Sequence, residues 1–373
     1  MKETGTPHPD LQNAVPAPPP ENRKRLVRAF RIEIICFALV LALLMGCGVY
    51  VLTPKHVYGV CPMLNLYLQP RNTADVLVVG TSVAYSGVNT NVLWREYGLA
   101  CYNLCSAEIP YWASYYQLRE ALRYQKPKLI LLDAKPAVYS REYSLKGRTI
   151  QSTFGILHPV NRIGAILACQ KTLQQAMDFV WAYPEVHKNY KALAWEDFRL
   201  PPGNGGLGSR WKGYIAMDNI EAQAVPVIYP TAGTVTVNPR QVEYFRKIAE
   251  LARSEGIPLR IISIPNPSYG DELPYYRVLR NVAGECGVEW AEYNENGLNS
   301  MLDYASDFAD VHHLNVKGSM KFSLQLGKDL LAAYDLPDRR GDPAWADYDT
   351  CADLWYSRLG SLVSAPAEGE PGL

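Results

Sequence analysis

The chain has 373 residues, 48% of them hydrophobic and 20% charged, a balance that excludes a disordered, collagenous or disulfide-scaffold protein and calls for a buried core. Lysine plus arginine equals aspartate plus glutamate at 37 each. The whole chain therefore carries neither the basic field of a nucleic-acid binder nor the acidic excess of a solvating tail, and charge informs only locally.

Residues 1–31 read as a disordered tail in which Pro16, Pro18, Pro19 and Pro20 precede Arg23, Lys24, Arg25, Arg28 and Arg31. From Ile32 to Leu52 the run is apolar apart from Glu33, and about 21 residues at 1.5 Å rise cover roughly 30 Å, one hydrocarbon core. Amphipathic periodicity is missing there, so the reading is a transmembrane helix rather than a core helix. The five basic residues before it put the tail in the cytoplasm and everything after Thr53 outside the cell, as a single-pass membrane protein. No small-x-small site follows at the distance of a cleaved signal peptide. Leu44-Met45-Gly46-Cys47 has the form of a lipoprotein cleavage box, with Met45 out of pattern.

Beyond the membrane helix, Asp75-Val76-Leu77-Val78-Val79-Gly80 reads as a buried parallel strand closed by glycine. Asn89 caps a helix through Tyr97 that Gly98 ends, and a second strand follows at Ala100–Leu104. Pro110 opens a helix with Trp112, Tyr115, Leu118 and Leu122 at helical spacing, and Lys128–Asp133 is a third strand. The alternation stops near Pro136 and resumes near Asn238, with a helix ending at Gly256, a strand at Leu259–Ile264, a helix within 273–286, a strand at Val288–Tyr293 and a last helix from Val316 to Tyr334. This is a doubly wound α/β domain over residues 70–335 with an insertion at about 136–236. The insertion holds Trp181, Tyr183, Tyr190, Trp195, Trp211 and Tyr214 and a glycine-rich turn at 201–206; its aromatics read first as a local core and second as a lid or a sugar-binding wall. Residues 336–373 form a tail without a usable pattern. Eight scattered cysteines, two of them in the membrane helix, show no zinc spacing and no deducible pairing, and read as small buried hydrophobes.

In an open parallel sheet, ligands gather beyond the carboxyl ends of the strands. Gly80-Thr81-Ser82 follows the first strand there, and free N–H groups of the chain after it would both polarise a serine hydroxyl and hold an oxyanion. At the other end of the domain, Asp307-Phe308-Ala309-Asp310-Val311-His312-His313-Leu314-Asn315 precedes the last helix. Asp310 and His313, three apart on a turn, can meet so that the carboxylate takes Nδ1–H and leaves Nε2 for a serine proton. Ser82, Asp310 and His313 then make a triad. Three other readings of this block stay open: His312 as the base, a metal site of Asp307, Asp310, His312 and His313, and a plain helix N-terminus with capping carboxylates.

The pair of blocks Val79-Gly80-Thr81-Ser82 and Asp310-Val311-His312-His313-Leu314-Asn315-Val316-Lys317-Gly318 resembles the SGNH/GDSL hydrolase superfamily, in particular its membrane-anchored bacterial members. The likeness covers about residues 70–135 and 238–334. It implies a flavodoxin-like α/β/α sandwich and acyl-ester chemistry on envelope glycans, by de-esterification or O-acyl transfer, without a cofactor or metal. By position it implies Ser82 as nucleophile and oxyanion donor, His313 as base, Asp310 as its orienter and Cys105 as a second backbone donor. Cys105 stands where the family has glycine, and the family's third-block asparagine is missing from Leu132-Asp133-Ala134-Lys135, with Lys135 or Asn103 as substitutes. The expected partners are an acylated glycan and, for a transferase, a multi-spanning membrane acyltransferase that brings the acyl group across the bilayer. The alternative from another class is a catalytically inactive glycan-binding or envelope-assembly protein on the same fold.

Overall fold

The structure, a computed structural model, describes residues 20–54, 60–198, 211–228, 235–294 and 301–364. The chain divides into two units, Met1–Tyr50 and Val51–Leu373. The first holds nearly all of helix α1, Pro20–Leu52. From Arg23 to Leu52 this helix is long and apolar enough to cross a membrane. It begins earlier than the sequence pattern implies: Arg23, Lys24, Arg25, Arg28 and Arg31, placed in a disordered tail by their polarity, lie on the helix. Arginine and lysine are good helix formers, and nothing between Arg23 and Ile32 breaks the ladder.

The second unit runs α2 (Val60–Leu66), β1 (Val76–Gly80), α3 (Ser82–Gly87), α4 (Thr90–Tyr97), β2 (Cys101–Cys105), α5 (Tyr111–Ala121), β3 (Leu129–Asp133), α6 (Lys146–Thr153), α7 (Pro159–Cys169), α8 (Leu173–Trp181), α9 (Tyr183–Val186), α10 (Pro239–Ser254), β4 (Leu259–Ser263), α11 (Tyr269–Glu285), β5 (Glu289–Glu292), α12 (Val316–Ala333) and α13 (Ala346–Ser364). The strands form one parallel sheet in the order β2-β1-β3-β4-β5. Side chains alternate across it. Leu77, Val79, Ile130, Leu132 and Ile261 pack under α5, α10 and α11, while Val76, Val78, Leu129, Leu131 and Ile262 pack under α3, α4 and α12. Both faces are covered, which is why the strands read as continuous apolar runs, and each fully buried aliphatic chain contributes about 1.5–3 kcal/mol.

The helix signals in the sequence act as expected. Asn89 accepts from Asn91 and Val92 N–H, and Gly98 closes α4 in the left-handed region at φ 67°. Asn238 caps α10 the same way at its start. Two segments differ from expectation. Residues 336–373, read as a patternless tail, contain α13, whose Trp355 is fully buried and whose Tyr348 stacks on Trp94 at 5.0 Å. The domain therefore extends to at least Ser364. The insertion is no single aromatic core either: Trp211 and Tyr214 are buried, but Trp181, Tyr183, Tyr190 and Trp195 are exposed. Its segment around Lys212 covers the β2 edge, with Lys212 O accepting from Asn103 N–H at 2.9 Å. The glycine-rich turn at 201–206 lies outside the described residues. All eight cysteines are free thiols, four of them buried.

Candidate active site

At the carboxyl end of β1 the chain must leave the sheet sharply, and Gly80 permits it. A Cβ there would stand 2.4 Å from Asp133 Cβ and 3.0 Å from Ala84 Cβ. Thr81 is extended and caps α3, its hydroxyl accepting from Val83 N–H at 3.3 Å. Asp133, the last residue of β3, takes both the Thr81 N–H (2.9 Å) and its hydroxyl (2.6 Å) on Oδ2 and the Lys135 N–H (2.9 Å) on Oδ1. Burial raises the Asp133 carboxyl above its ordinary value, and the Thr81 and Lys135 donors act against that rise. Ser82 is thereby fixed as the first residue of α3, with its own N–H at a helix start, ahead of the intrahelical ladder.

The loop before α12 supplies the other two side chains. A bridge between Phe308 and Leu314 closes it, and Asn315 donates to Ser306 O at 2.8 Å while capping α12 through Gly318 N–H. Inside this turn Asp310 Oδ1 accepts from the N–H groups of His312 (2.8 Å) and His313 (3.0 Å). Burial works to raise the Asp310 carboxyl, but these N–H groups and the His313 ring outweigh it and hold it below its ordinary value. Both Asp310 oxygens lie 2.8 Å from His313 Nδ1, and His313 Nε2 lies 2.8 Å from Ser82 Oγ. With a carboxylate acceptor at Nδ1, the neutral ring carries its proton there and turns a lone pair at Nε2 toward the serine hydroxyl. Ser82, His313 and Asp310 thus form one hydrogen-bonded line across 231 residues of sequence.

Other residues named from sequence sit elsewhere. His312 turns away from Ser82: its Nδ1 is 3.0 Å from Ser268 Oγ and 3.5 Å from Lys135 Nζ. Burial and the nearby Lys135 charge lower its pKa, so it is neutral above its ordinary value of 6.5. Asp307 is fully buried, accepts from Asp303 N–H and pairs with Lys321 at 2.5 Å, so it does not join Asp310 and the histidines. Among the described residues no cluster of three metal-ligating side chains occurs.

Lys135 is committed to the buried Glu272, which also accepts from Tyr276 OH at 2.6 Å and Asn266 Nδ2 at 3.3 Å. Asn103 is buried and donates to Val88 O at 2.8 Å. Neither has a hydrogen bond to Ser82. Cys105 departs from its implied role too. In its register with β1, Gly80 O takes the Ser106 N–H, so the N–H of Cys105, like that of Asn103 two residues earlier, faces the outer side of β2. Its buried thiol points to Val78 O, 3.6 Å away, so its Cβ does not narrow the site. The next N–H groups past Gly80 belong to the turn Ser106–Ile109, where Glu108 adopts φ 49°.

Sequence reasoning did not find the part played by Asp133, although an aspartate ending a fully apolar strand was the signal. Nor did it find the strap at 211–228: Met217 O accepts from Val316 N–H at 2.8 Å and Asn219 Nδ2 donates to Ala309 O at 2.6 Å, pinning the Asp310–His313 loop from outside. The third feature is a cleft of about 320 Å³ at the ends of β2 and β3, lined by Glu108, Trp112, Tyr139, Arg141, Tyr143 and Arg148 among others. Glu108 bridges both arginines, at 3.3 Å to Arg141 and 2.8 Å to Arg148. Tyr139, in the cleft wall, interacts with Thr81, so the cleft lies near the residue before Ser82.

Compared with known proteins, the chain matches no family profile and no curated protein.

Proposed function

We propose that this protein is an extracytoplasmic serine esterase or O-acyltransferase of SGNH type, acting on acylated cell-envelope glycans. The observation that carries the reading is the unbroken line Ser82 Oγ, His313 ring, Asp310 carboxylate at the carboxyl end of a parallel sheet. The strand order 2-1-3-4-5 supports a flavodoxin-type sheet, in which that end is the ligand side. Ser82 Oγ attacks the ester carbonyl as His313 Nε2 takes its proton, and Asp310 steadies the imidazolium. The oxyanion meets the Ser82 N–H at the helix start. The alkoxide leaves with the proton from His313. Water or a sugar hydroxyl then returns the proton to His313 and takes the acyl group, regenerating Ser82. The aromatic and arginine-lined cleft next to Thr81 suits one sugar ring, whose apolar face stacks on the half-buried Tyr143 while its hydroxyls meet the Glu108–arginine pairs.

The compartment follows from the basic N-terminal flank of α1. A transferase on that side needs an acyl donor across the bilayer, hence a multi-spanning partner, because one helix offers no polar path. The missing third-block amide, with Asn103 and Lys135 both engaged elsewhere, favours a second reading in which the fold binds glycan without turnover. A fluorophosphonate probe separates the two. Labelling of the full-length protein that disappears in Ser82→Ala and His313→Ala, and persists in His312→Ala, supports the triad; no labelling of the wild type leaves the binding role. In cells, deleting an esterase raises glycan acyl content, whereas deleting a transferase lowers it.

A further inference from the structure

Several large apolar side chains of the insertion lie outside its core. Helices α7 and α8 turn Ala165, Ile166, Cys169, Ala176 and Phe179 inward. Their opposite faces, where polar residues are expected, carry Val160, Ile163 and Leu167 at i, i+3, i+7 and Leu173, Met177 and Trp181 at i, i+4, i+8, all of them exposed. The chain then continues through exposed Tyr183, Tyr190 and Trp195, the last at 74% exposure, with Lys171, Lys188 and Lys191 beside them. Exposed apolar stripes of this kind mark an interaction site.

Its position in the fold identifies the occupant. Asn189 Nδ2 donates to Leu52 O at 2.8 Å, and Ala192 and Leu193 share a cavity of about 60 Å³ with Leu52, Thr53 and Pro54. Leu52 ends the apolar helix and belongs to the same compact unit as residues 189–193. A spanning helix ends at the headgroup layer, so a residue bonded to its last carbonyl lies in that layer as well. Tryptophan and tyrosine rings, apolar at one end and polar at the other, fit there, and lysines beside them meet lipid phosphates.

We propose that the outer faces of α7 and α8 and the segment through Trp195 rest on the membrane, with their apolar stripes at the boundary of headgroups and acyl chains. The inference rests on α1 being a membrane span. Because α7 packs on α5, whose Trp112 lines the cleft, docking would also hold the cleft at a set height above the bilayer.

Trp181 and Trp195 are the exposed members among eight tryptophans, so the full-length protein reports its own docking. It is reconstituted into vesicles of phosphatidylglycerol and phosphatidylcholine brominated close to the headgroup, and tryptophan emission is compared with that in unbrominated vesicles. Docking predicts loss of about a quarter of the emission, two tryptophans of eight, and no such loss in a Trp181→Phe/Trp195→Phe double variant with unchanged melting. Flotation of the vesicles is scored in parallel. Protein that floats but is not quenched overturns the proposal alone and shows that lipid by itself does not cover this face; protein that does not float overturns the membrane span and the proposal together.

Discussion

Replacing Thr81 by valine tests how the serine is held. The two side chains have nearly the same shape, so the change removes a hydroxyl without opening a cavity. Two interactions go: the 2.6 Å bond into the fully buried Asp133 carboxylate and the cap on Val83 N–H at 3.3 Å. A hydrogen bond to a charged acceptor contributes about 1.5–3 kcal/mol, and a helix cap about 1 kcal/mol. The cap is long and the Thr81 N–H to Asp133 survives, so the expected loss is about 2–4 kcal/mol. For a unit of this size that lowers the melting temperature by roughly 4–10 °C. Thr81→Ser keeps the hydroxyl and should stay near the wild type. Intrinsic-fluorescence melting of the detergent-purified full-length protein reads the stability, and the rate of fluorophosphonate labelling reads the placement of Ser82; both should fall in the valine variant and recover in the serine one. A valine variant melting within a degree of the wild type would refute the idea that Asp133 and Thr81 position the serine.

Asp310→Asn should slow labelling by at least tenfold, because an amide no longer selects the ring with its proton on Nδ1. The Asp310 carboxyl is depressed in the fold, so its stabilising contribution is present above the unfolded value of 3.8 and is lost as pH falls through the folded value; the melting difference between wild type and variant should shrink as pH drops below 3.8, and a difference independent of pH would contradict it. Lys135→Met leaves Glu272 buried without its cation and should cost about 3–5 kcal/mol, and adding Glu272→Gln should recover most of that. Equal melting of the single and double variants would show that the pair does not act as a unit.

How much could be read from the chain depends on the range of the interaction. Strands β1 to β3 were legible because a strand buried on both faces has to be a short apolar run, and the caps at Asn89, Gly98 and Asn238 because they act within a few residues. Asp310 and His313 were legible for the same reason, since a spacing of three on a turn already brings a carboxylate to an imidazole. The boundary of α1 was not, because local polarity suggests a tail where helix propensity extends the helix to Pro20. Helix α13 was missed because what identifies it is packing: Trp355 and Tyr348 are buried against Val92 and Trp94 of α4, which lies far away in sequence.

Which histidine meets Ser82, and what becomes of Asn103, Lys135 and Cys105, depends on contacts across the sheet. Asn103 could have faced a ligand, but the β2 register buries it against Val88; Lys135 could have stood over the serine, but a buried carboxylate on α11 takes its charge. Local spacing determined which side chains can meet their neighbours in sequence, and so the Asp310–His313 pair and the elements that carry it. Only the tertiary structure decided which distant groups fill the remaining valences, because a buried polar atom takes whatever partner the packed fold brings within about 3 Å, and that partner is set by strand order and register.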